Sequence, residues 1–284
     1  MDNRSVSTGR GAPASRRPPS TGPILRLLQI TDTHIYADPA GELLGLNTLD
    51  SCERVLAMVQ AREDNADLVV ATGDLTHDGS EAGYRLLRDA LKKIDLPVYC
   101  LPGNHDSAAT LKNLMDEGQI RTLRALEHGD WSLVFLDSTV PGSETGHLAD
   151  GELEHLRHYL ASHRQRPTLV CMHHQPVPVG SAWIDTMTLD NPAPFFAIID
   201  ANPQVKGVLW GHIHQPFEQQ RKGVRLIGSP STCVQFKPQS DVFTLDDTPP
   251  GYRWLELYAD GAITTGIRRV DAYTSGIDME SPGY

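Results

Sequence analysis

The sequence predicts an α/β fold in which mixed β-sheets and packed helices form one domain. Three observations predict this class. Up to about residue 220, short apolar runs bounded by turn residues alternate with amphipathic helical patterns, which favours parallel strands joined by helices. Beyond that point only strand patterns follow. No linker or internal repeat divides the chain, so the two parts are expected to share one domain.

The predicted strands are the apolar runs of ordinary strand length. In chain order they cover Ile24–Ile30, Leu68–Thr72, Val98–Leu101, 131–136, 168–172, Val205–Trp210, 224–227, 241–245, 253–258 and 262–268. Asp260-Gly261 predicts a hairpin turn between the last two strands.

Four helices are predicted between the strands of the first part. Asn47, Ser80 and Ser107 belong to the residue types that cap helix N-termini, and each precedes apolar residues at helical spacing. A fourth helical pattern covers 151–163.

Composition narrows the class of protein. Of the 284 residues, 39% are hydrophobic and 21% are charged, which predicts a substantial core. A net charge of −11 disfavours a general nucleic-acid or anionic-membrane binder, because both need basic surface. The four cysteines form no C-x-x-C pair and are expected to be reduced thiols. We therefore expect a cytoplasmic location and no stable membrane insertion.

The first 22 residues are rich in Ser, Gly, Pro and Arg, and they contain no apolar segment of the kind found in secretory signals. This composition predicts a disordered N-terminal extension over 1–22. The folded domain is expected to cover 23–284.

Polar residues of metal-binding type follow five of the predicted strands. In chain order they are Asp32 and His34; Asp74; Asn104, His105 and Asp106; His173 and His174; and His212 and His214. Because the carboxyl ends of parallel strands share one edge of a sheet, these side chains are expected to converge. The Asp-x-His and His-x-His spacings would place two ligands on one side of an extended segment.

This set of residue types predicts a metal centre. Carboxylate, imidazole and amide ligands without a thiolate suit Mn, Fe, Co or Zn. The side chains outnumber the ligands of one ion, which predicts two divalent ions. Gly73, Gly103 and Gly211 are expected to permit tight turns and close backbone approach beside them. Taken singly, a Gly-Asp pair is usually a turn and a histidine at a strand end is usually structural, so the prediction depends on the five patterns together.

The ordered patterns Asp-x-His, Gly-Asp, Gly-Asn-His-Asp, His and Gly-His-x-His resemble the calcineurin-like metallophosphoesterase superfamily. The segments at 43–48 and 230–238 resemble bacterial class III 3′,5′-cyclic-AMP phosphodiesterases, and the likeness covers roughly residues 24–284. The resemblance implies two mixed β-sheets packed as a sandwich and flanked by helices.

The resemblance also implies a role for each position. One ion would be bound by Asp32, His34 and His214, the other by Asn104, His173 and His212, and both by Asp74. The substrate phosphate would lie against His34, Asp74, Asn104, His105, His173 and His214. His105 would donate a proton to the leaving oxygen, and Asp106 would orient His105. His174 is an alternative ligand to its neighbour His173. The family pattern favours His173.

The implied reaction is hydrolysis of 3′,5′-cyclic AMP to 5′-AMP by in-line attack of a metal-bridging hydroxide. One alternative is another phosphodiester or nucleotide as substrate, including cyclic GMP or 2′,3′-cyclic nucleotides. Another is a non-catalytic scaffold, which the complete set of motifs disfavours. The acidic chain disfavours nucleic acid, whereas a small anion could bind at two cations. The sequence leaves the oligomeric state open.

Three further features are ambiguous in the sequence. Trp183 either stacks on a base at the mouth of the site or packs beneath a loop. The segment 229–236 either forms a pocket wall or is structural. His77 belongs to no ligand pattern and is expected to be a surface residue.

Overall fold

The computed structural model describes residues 24–63, 65–271, 273 and 276–283. The predicted extension over 1–22 lies outside these residues. The strands are β1 (Ile24–Ile30), β2 (Glu42–Leu43), β3 (Leu46–Asn47), β4 (Leu68–Thr72), β5 (Val98–Leu101), β6 (Ile120–Arg121), β7 (Ala125–His128), β8 (Trp131–Phe135), β9 (Thr168–Cys171), β10 (Val205–Trp210), β11 (Phe217–Arg221), β12 (Val224–Gly228), β13 (Gln235–Phe236), β14 (Leu245–Asp246), β15 (Gly251–Tyr258) and β16 (Ile263–Arg269). The α-helices are α1 (Thr48–Arg62), α2 (Glu81–Leu91), α3 (Ala108–Met115), α4 (Asp150–Ser162) and α5 (Pro192–Asp200), and a 3₁₀ turn covers Ile184–Met187.

Two six-stranded mixed sheets organise these elements. Sheet I has the order β16-β15-β1-β4-β5-β6, and sheet II has the order β11-β12-β10-β9-β8-β7. In each sheet four neighbouring strands are parallel, and the remaining pairings are antiparallel. The predicted α/β class and the two mixed sheets implied by the resemblance are therefore confirmed.

The sheets pack face to face across an apolar layer, which we call the intersheet layer. It consists of Leu25, Leu27, Leu68, Val70, Leu101, Trp131, Leu133, Phe135, Leu169, Cys171, Leu209, Ile227, Leu255 and Leu257. Because successive side chains of a strand point to opposite faces, Leu27 lies in this layer while Leu28 packs under the helices. Helices α1–α3 cover the outer face of sheet I, and α4 and α5 cover that of sheet II. The central parallel strands β4, β8 and β9 are buried on both faces, which explains their continuously apolar sequences.

The local signals located most elements correctly. Asn47, Ser80 and Ser107 each accept a hydrogen bond from a backbone N–H in the first turn of the following helix, as predicted. The hairpin at Asp260-Gly261 joins antiparallel β15 and β16.

Some predictions of local structure were wrong or incomplete. Residues 241–244 form no strand, and only Leu245 of that run enters the short β14. Helix α5 was missed because its Pro-Ala-Pro-Phe-Phe-Ala-Ile-Ile sequence is apolar on all sides and lacks helical periodicity. Strand β11 was missed because Phe217–Arg221 is mostly polar and lies at the edge of sheet II.

This topology places five strand ends at one edge of the sandwich. Strands β1, β4 and β5 are parallel neighbours in sheet I, and β9 and β10 are parallel neighbours in sheet II. The chain leaves each of them at its carboxyl end, where the candidate ligands follow. Among the described residues, no helix is long and apolar enough to cross a bilayer.

Candidate metal centre

The loops after these five strands bring the predicted ligands together at the centre of the sandwich edge. Side-chain atoms of Asp32, His34 and Asp74 lie within 4.8 Å of one another, and so do those of His173, His174 and His212. The Nε2 atom of His214 lies 3.2 Å from Nε2 of His34. The predicted convergence of residues distant in sequence is therefore present in the fold.

The backbone at these residues differs from the extended segments that the sequence spacing suggested. Asp32, His34, Asp74, His212 and His214 all have a positive φ, between 45° and 66°. Residues other than glycine rarely adopt this left-handed region, at a cost of order 1–3 kcal/mol each. The prediction that an extended strand aligns each ligand pair was therefore wrong, since these residues turn the chain sharply as it leaves the strand.

Three glycines permit the close approach of these turns, as predicted. A Cβ atom on Gly73, whose φ is +89°, would lie 2.4 Å from Nδ1 of His173. On Gly103 it would lie 2.2 Å from Oδ1 of Asp74, and on Gly211 it would lie 2.0 Å from Oγ1 of Thr31. A side chain at any of these positions would displace the neighbouring candidate ligand or its support.

Asp74 lies between the two groups of candidate ligands. Its Oδ2 atom is 3.7 Å from Nε2 of His34 and 3.3 Å from Nε2 of His173. Its Oδ1 atom accepts a hydrogen bond from the backbone N–H of His105 at 3.0 Å. Burial raises the pKa of Asp74, but the surrounding histidines, His173 above all, hold this pKa well below its usual range. The carboxylate is therefore charged and faces both groups.

His173 and His214 are oriented by backbone carbonyls. Their Nδ1–H groups donate to the carbonyl oxygens of Thr72 at 2.9 Å and Val234 at 2.8 Å. A carbonyl can only accept, so the proton of each neutral ring is on Nδ1, and Nε2 presents its lone pair to the centre. Metal-binding histidines are commonly oriented in this way.

The electrostatics of these two rings indicate that the site requires positive charge. Burial lowers the pKa of His173, but Asp74 more than offsets it and raises that pKa to about 9. For His214 burial is likewise offset by Asp32, 3.4 Å away, and the pKa rises to about 10. In the absence of other cations, protons on these rings would balance the buried carboxylates.

The pKa values of two other histidine rings are lowered instead of raised. Burial lowers the pKa of His34 and of His212 well below the ordinary value, and neighbouring histidines lower both further. These rings stay neutral at pH 7 and can act as ligands. The Nε2 atom of His212 is buried and has no hydrogen-bond partner among the described residues.

The donor set fits divalent metal ions. Lone-pair atoms crowd at hydrogen-bond distance, including Nε2 of His34 and His214 at 3.2 Å, and Nε2 of His173 and Oδ1 of Asn104 at 3.1 Å. Such contacts repel unless a proton or a cation lies between the atoms. The orphaned nitrogen of His212 points to the same need.

His105 lies beside this cluster and is held by its neighbours. Its Nδ1–H donates to the carbonyl oxygen of His77 at 3.0 Å, which fixes the orientation of the ring. The rings of His105 and His34 meet edge to face, with centroids 4.8 Å apart.

Asp106 acts on the loops rather than directly on the ring of His105. Its carboxylate accepts hydrogen bonds from the backbone N–H groups of Leu75, Thr76 and Gly103 at 2.9–3.0 Å and from the hydroxyl of Tyr84 at 2.8 Å. Burial, together with Asp74, raises the pKa of Asp106 to about 6. Asp106 thus ties the loop after β4 to the loop after β5, whereas the carbonyl of His77 sets the orientation of His105.

His77 was wrongly expected to be a surface residue. Its half-buried ring stacks between Tyr36, at a centroid distance of 4.5 Å, and His105, at 4.7 Å. Its Nδ1 atom lies 3.3 Å from Nδ1 of His34. The sequence signal was its position three residues after Asp74, within the same loop.

Two further residues adjoin the cluster. The Nδ1 atom of His174 pairs with the hydroxyl of Ser138 at 2.8 Å, and its ring lies 4.7 Å from that of His212. Sγ of Cys233 lies within 4.8 Å of the ligand nitrogens of His34 and His214. All four cysteines are free and buried, and no sequence pattern placed Cys233 at the centre.

The family model for calcineurin-like phosphoesterases matches residues 25–216 of the chain. A Pseudomonas aeruginosa protein, "3′,5′-cyclic adenosine monophosphate phosphodiesterase CpdA", is 41% identical over 266 residues, covering 94% of this chain and 97% of that protein. A Nostoc protein, "3′,5′-cyclic-nucleotide phosphodiesterase alr5338", is 40% identical and covers 87% of this chain and 92% of its own length.

Solved structures share the architecture at low sequence identity. A dimetal phosphatase from Danio rerio superposes with a TM-score of 0.59 at 16% identity, over 87% of this chain and 99% of that one. At this identity the likeness concerns the fold alone.

Proposed function

Because the chain belongs to the calcineurin-like phosphoesterase family, we propose that it is a metal-dependent phosphodiesterase that hydrolyses 3′,5′-cyclic AMP to 5′-AMP. The observation that carries this proposal is the convergence of two buried carboxylates and four imidazoles at one edge of the fold. We take the proposed substrate from the name of the Pseudomonas relative, because that protein aligns with this chain over nearly its whole length.

We assign two ions to the centre. Asp32, His34 and His214 would hold one, Asn104, His173 and His212 would hold the other, and Asp74 would contact both. The position of Asp74 between His34 and His173 supports this division. When bound, divalent ions neutralise the charge of a phosphodiester and lower the pKa of water to near neutrality.

The net reaction adds water to phosphorus and breaks its bond to the ribose 3′-oxygen. The leaving 3′-oxygen needs a proton, and His105, whose ring lies beside His34, would donate it. Because the carbonyl of His77 fixes the other ring nitrogen, the proton would pass from Nε2. Asp106 supports the step by holding the two loops that carry Asp74 and His105.

Cyclic GMP is the second candidate substrate. The name of the Nostoc relative specifies a cyclic nucleotide without specifying the base. The same site would carry out the same reaction.

A substrate panel tests the proposal. Purified protein loaded in turn with Mn²⁺, Fe²⁺, Co²⁺ or Zn²⁺ is assayed with 3′,5′-cyclic AMP, 3′,5′-cyclic GMP, 2′,3′-cyclic AMP, bis-p-nitrophenyl phosphate and p-nitrophenyl phosphate. We expect release of 5′-AMP from 3′,5′-cyclic AMP. Turnover of the nitrophenyl esters without turnover of either 3′,5′-cyclic nucleotide would replace the proposed substrate. Loss of all hydrolysis with every metal would favour a scaffold.

A further inference from the structure

A cavity of about 210 Å³ adjoins the metal centre and has two chemically different walls. One wall is polar and belongs to the centre, and the other is apolar. The polar wall is formed by Asn104, His105 and His212, and the apolar wall is formed by Trp183, Met187 and Phe243. We propose that the apolar wall is the subsite for the nucleobase, which stacks against Trp183. This proposal rests on the proposed function, because it assigns the base of that substrate.

The aromatic side chains of this wall hold one another in place. The Trp183 ring meets Phe236 and Phe243 edge to face, with centroids 4.9 and 5.0 Å apart. Trp183 immediately precedes the 3₁₀ turn Ile184–Met187, whose side chains Ile184 and Met187 also line the cavity. Trp183 is only half-buried, so part of its surface is open to a ligand. A fixed, partly exposed indole ring is a suitable surface for stacking.

The subsite is fixed relative to the candidate metal ligands. Phe236 stacks on His214 with a centroid distance of 4.2 Å and an interplanar angle of 6°. Phe236 also contacts Trp183, so one ring separates the indole from a candidate metal ligand. A phosphate at the centre and a base at Trp183 would both lie against this cavity, with the ribose between them.

The charges of the cavity limit the class of nucleotide. Besides histidine, Glu144 is the one ionisable side chain among the described residues that line it, and no Lys or Arg is among them. Phosphates beyond the one at the metal centre would find no cation there, which favours a mononucleotide over a nucleoside polyphosphate. Because stacking uses the π-face that every base offers, we expect adenine and guanine to bind with similar affinity.

The test separates binding of the base from binding of the phosphate. In the Mn²⁺-loaded protein, 5′-AMP and inorganic phosphate are compared as inhibitors of bis-p-nitrophenyl phosphate hydrolysis. For Trp183→Leu we expect about a tenfold weaker inhibition by 5′-AMP, unchanged inhibition by phosphate, and a raised KM for cyclic AMP at unchanged kcat. Trp183→Phe should recover most of the 5′-AMP affinity. The matched control is Trp254→Leu, on sheet I away from the cavity.

Phe243→Leu provides a second route if Trp183→Leu fails to fold, and it should weaken 5′-AMP binding to a smaller extent. Equal weakening of inhibition by 5′-AMP and by phosphate, or no change for either, would overturn the subsite. If cyclic AMP is not hydrolysed but 5′-AMP inhibition depends on Trp183, the subsite stands and the proposed substrate falls. If cyclic AMP is turned over normally but inhibition does not depend on Trp183, the proposed substrate stands and the subsite falls.

Discussion

The intersheet layer and the metal centre both contain fully buried side chains, but they differ in chemistry. Leu209 and His214 are both fully buried, and only five positions separate them in the chain. Leu209 packs among apolar side chains on a regular strand, whereas His214 has a left-handed backbone beside a carboxylate. The layer stabilises the fold by removing apolar surface from water. The centre carries buried charge and strained turns that such packing must hold in place.

This contrast predicts that substitutions in the two regions fail in different ways. In the centre, activity should fall while the fold survives, and loss of a metal ligand should lower the metal content as well. In the layer, stability should fall while the chemistry of the folded molecules survives.

The largest effect is expected for Asp74→Ala. This change removes the carboxylate that faces both groups of ligands, so we expect loss of bound metal and at least about a 10⁴-fold lower kcat/KM. Elemental analysis and a cyclic AMP assay measure the two quantities. Asp78→Ala, an exposed carboxylate in the same loop, is the matched control and should change neither. Full metal content in Asp74→Ala would contradict the bridging assignment.

His105→Ala should separate chemistry from metal binding. If His105 is removed as the proposed proton donor, kcat should fall about 100- to 1,000-fold, while the bound metal is retained. His158→Ala, on the exposed face of α4, is the matched control. An unchanged kcat in His105→Ala would remove His105 from the mechanism.

Leu209→Ala tests the other region. The side chain is fully buried in the intersheet layer, so its truncation should lower the free energy of unfolding by about 2–5 kcal/mol. Denaturant unfolding measures this loss. The kcat of the folded fraction should be unchanged, because the residue does not reach the centre. Leu123→Ala, at a partly exposed site, should cost far less. A fall in kcat without loss of stability would contradict the expected difference between the two regions.

A smaller effect is expected in the pH dependence of the metal-free protein. The pKa values of His173 and His214 are raised to about 9 and about 10, above the ordinary 6.5. Their protonation therefore stabilises the fold below about pH 6.5, and this contribution is lost as pH rises through the folded values. The Tm of chelator-treated protein should thus fall between about pH 7 and pH 9. Bound ions replace these protons, so metal-loaded protein should show a flatter profile. Parallel profiles would contradict this linkage.

The sequence predicted the fold class and the convergence of the candidate ligands because both depend on local signals. Apolar runs located the strands, and parallel order placed Asp32, Asp74 and His173 at one edge. The left-handed turns could not be predicted, because Asp and His adopt a positive φ more often than most residues but still do so only in a minority of positions. The position of His77 could not be predicted either, and the sequence left Trp183 open between two alternatives, since both depend on contacts between rings distant in sequence. Helix α5 lacked the amphipathic period that identifies a helix.

A metal titration of the metal-free protein shows whether hydrolysis of cyclic AMP depends on ions bound at the centre. Mn²⁺ is added stepwise, bound metal is measured by equilibrium dialysis, and hydrolysis of 3′,5′-cyclic AMP is assayed at each step. We expect hydrolysis to rise with bound metal and to reach its plateau at two ions per chain. Full hydrolysis of cyclic AMP by protein shown to contain no metal would contradict the account.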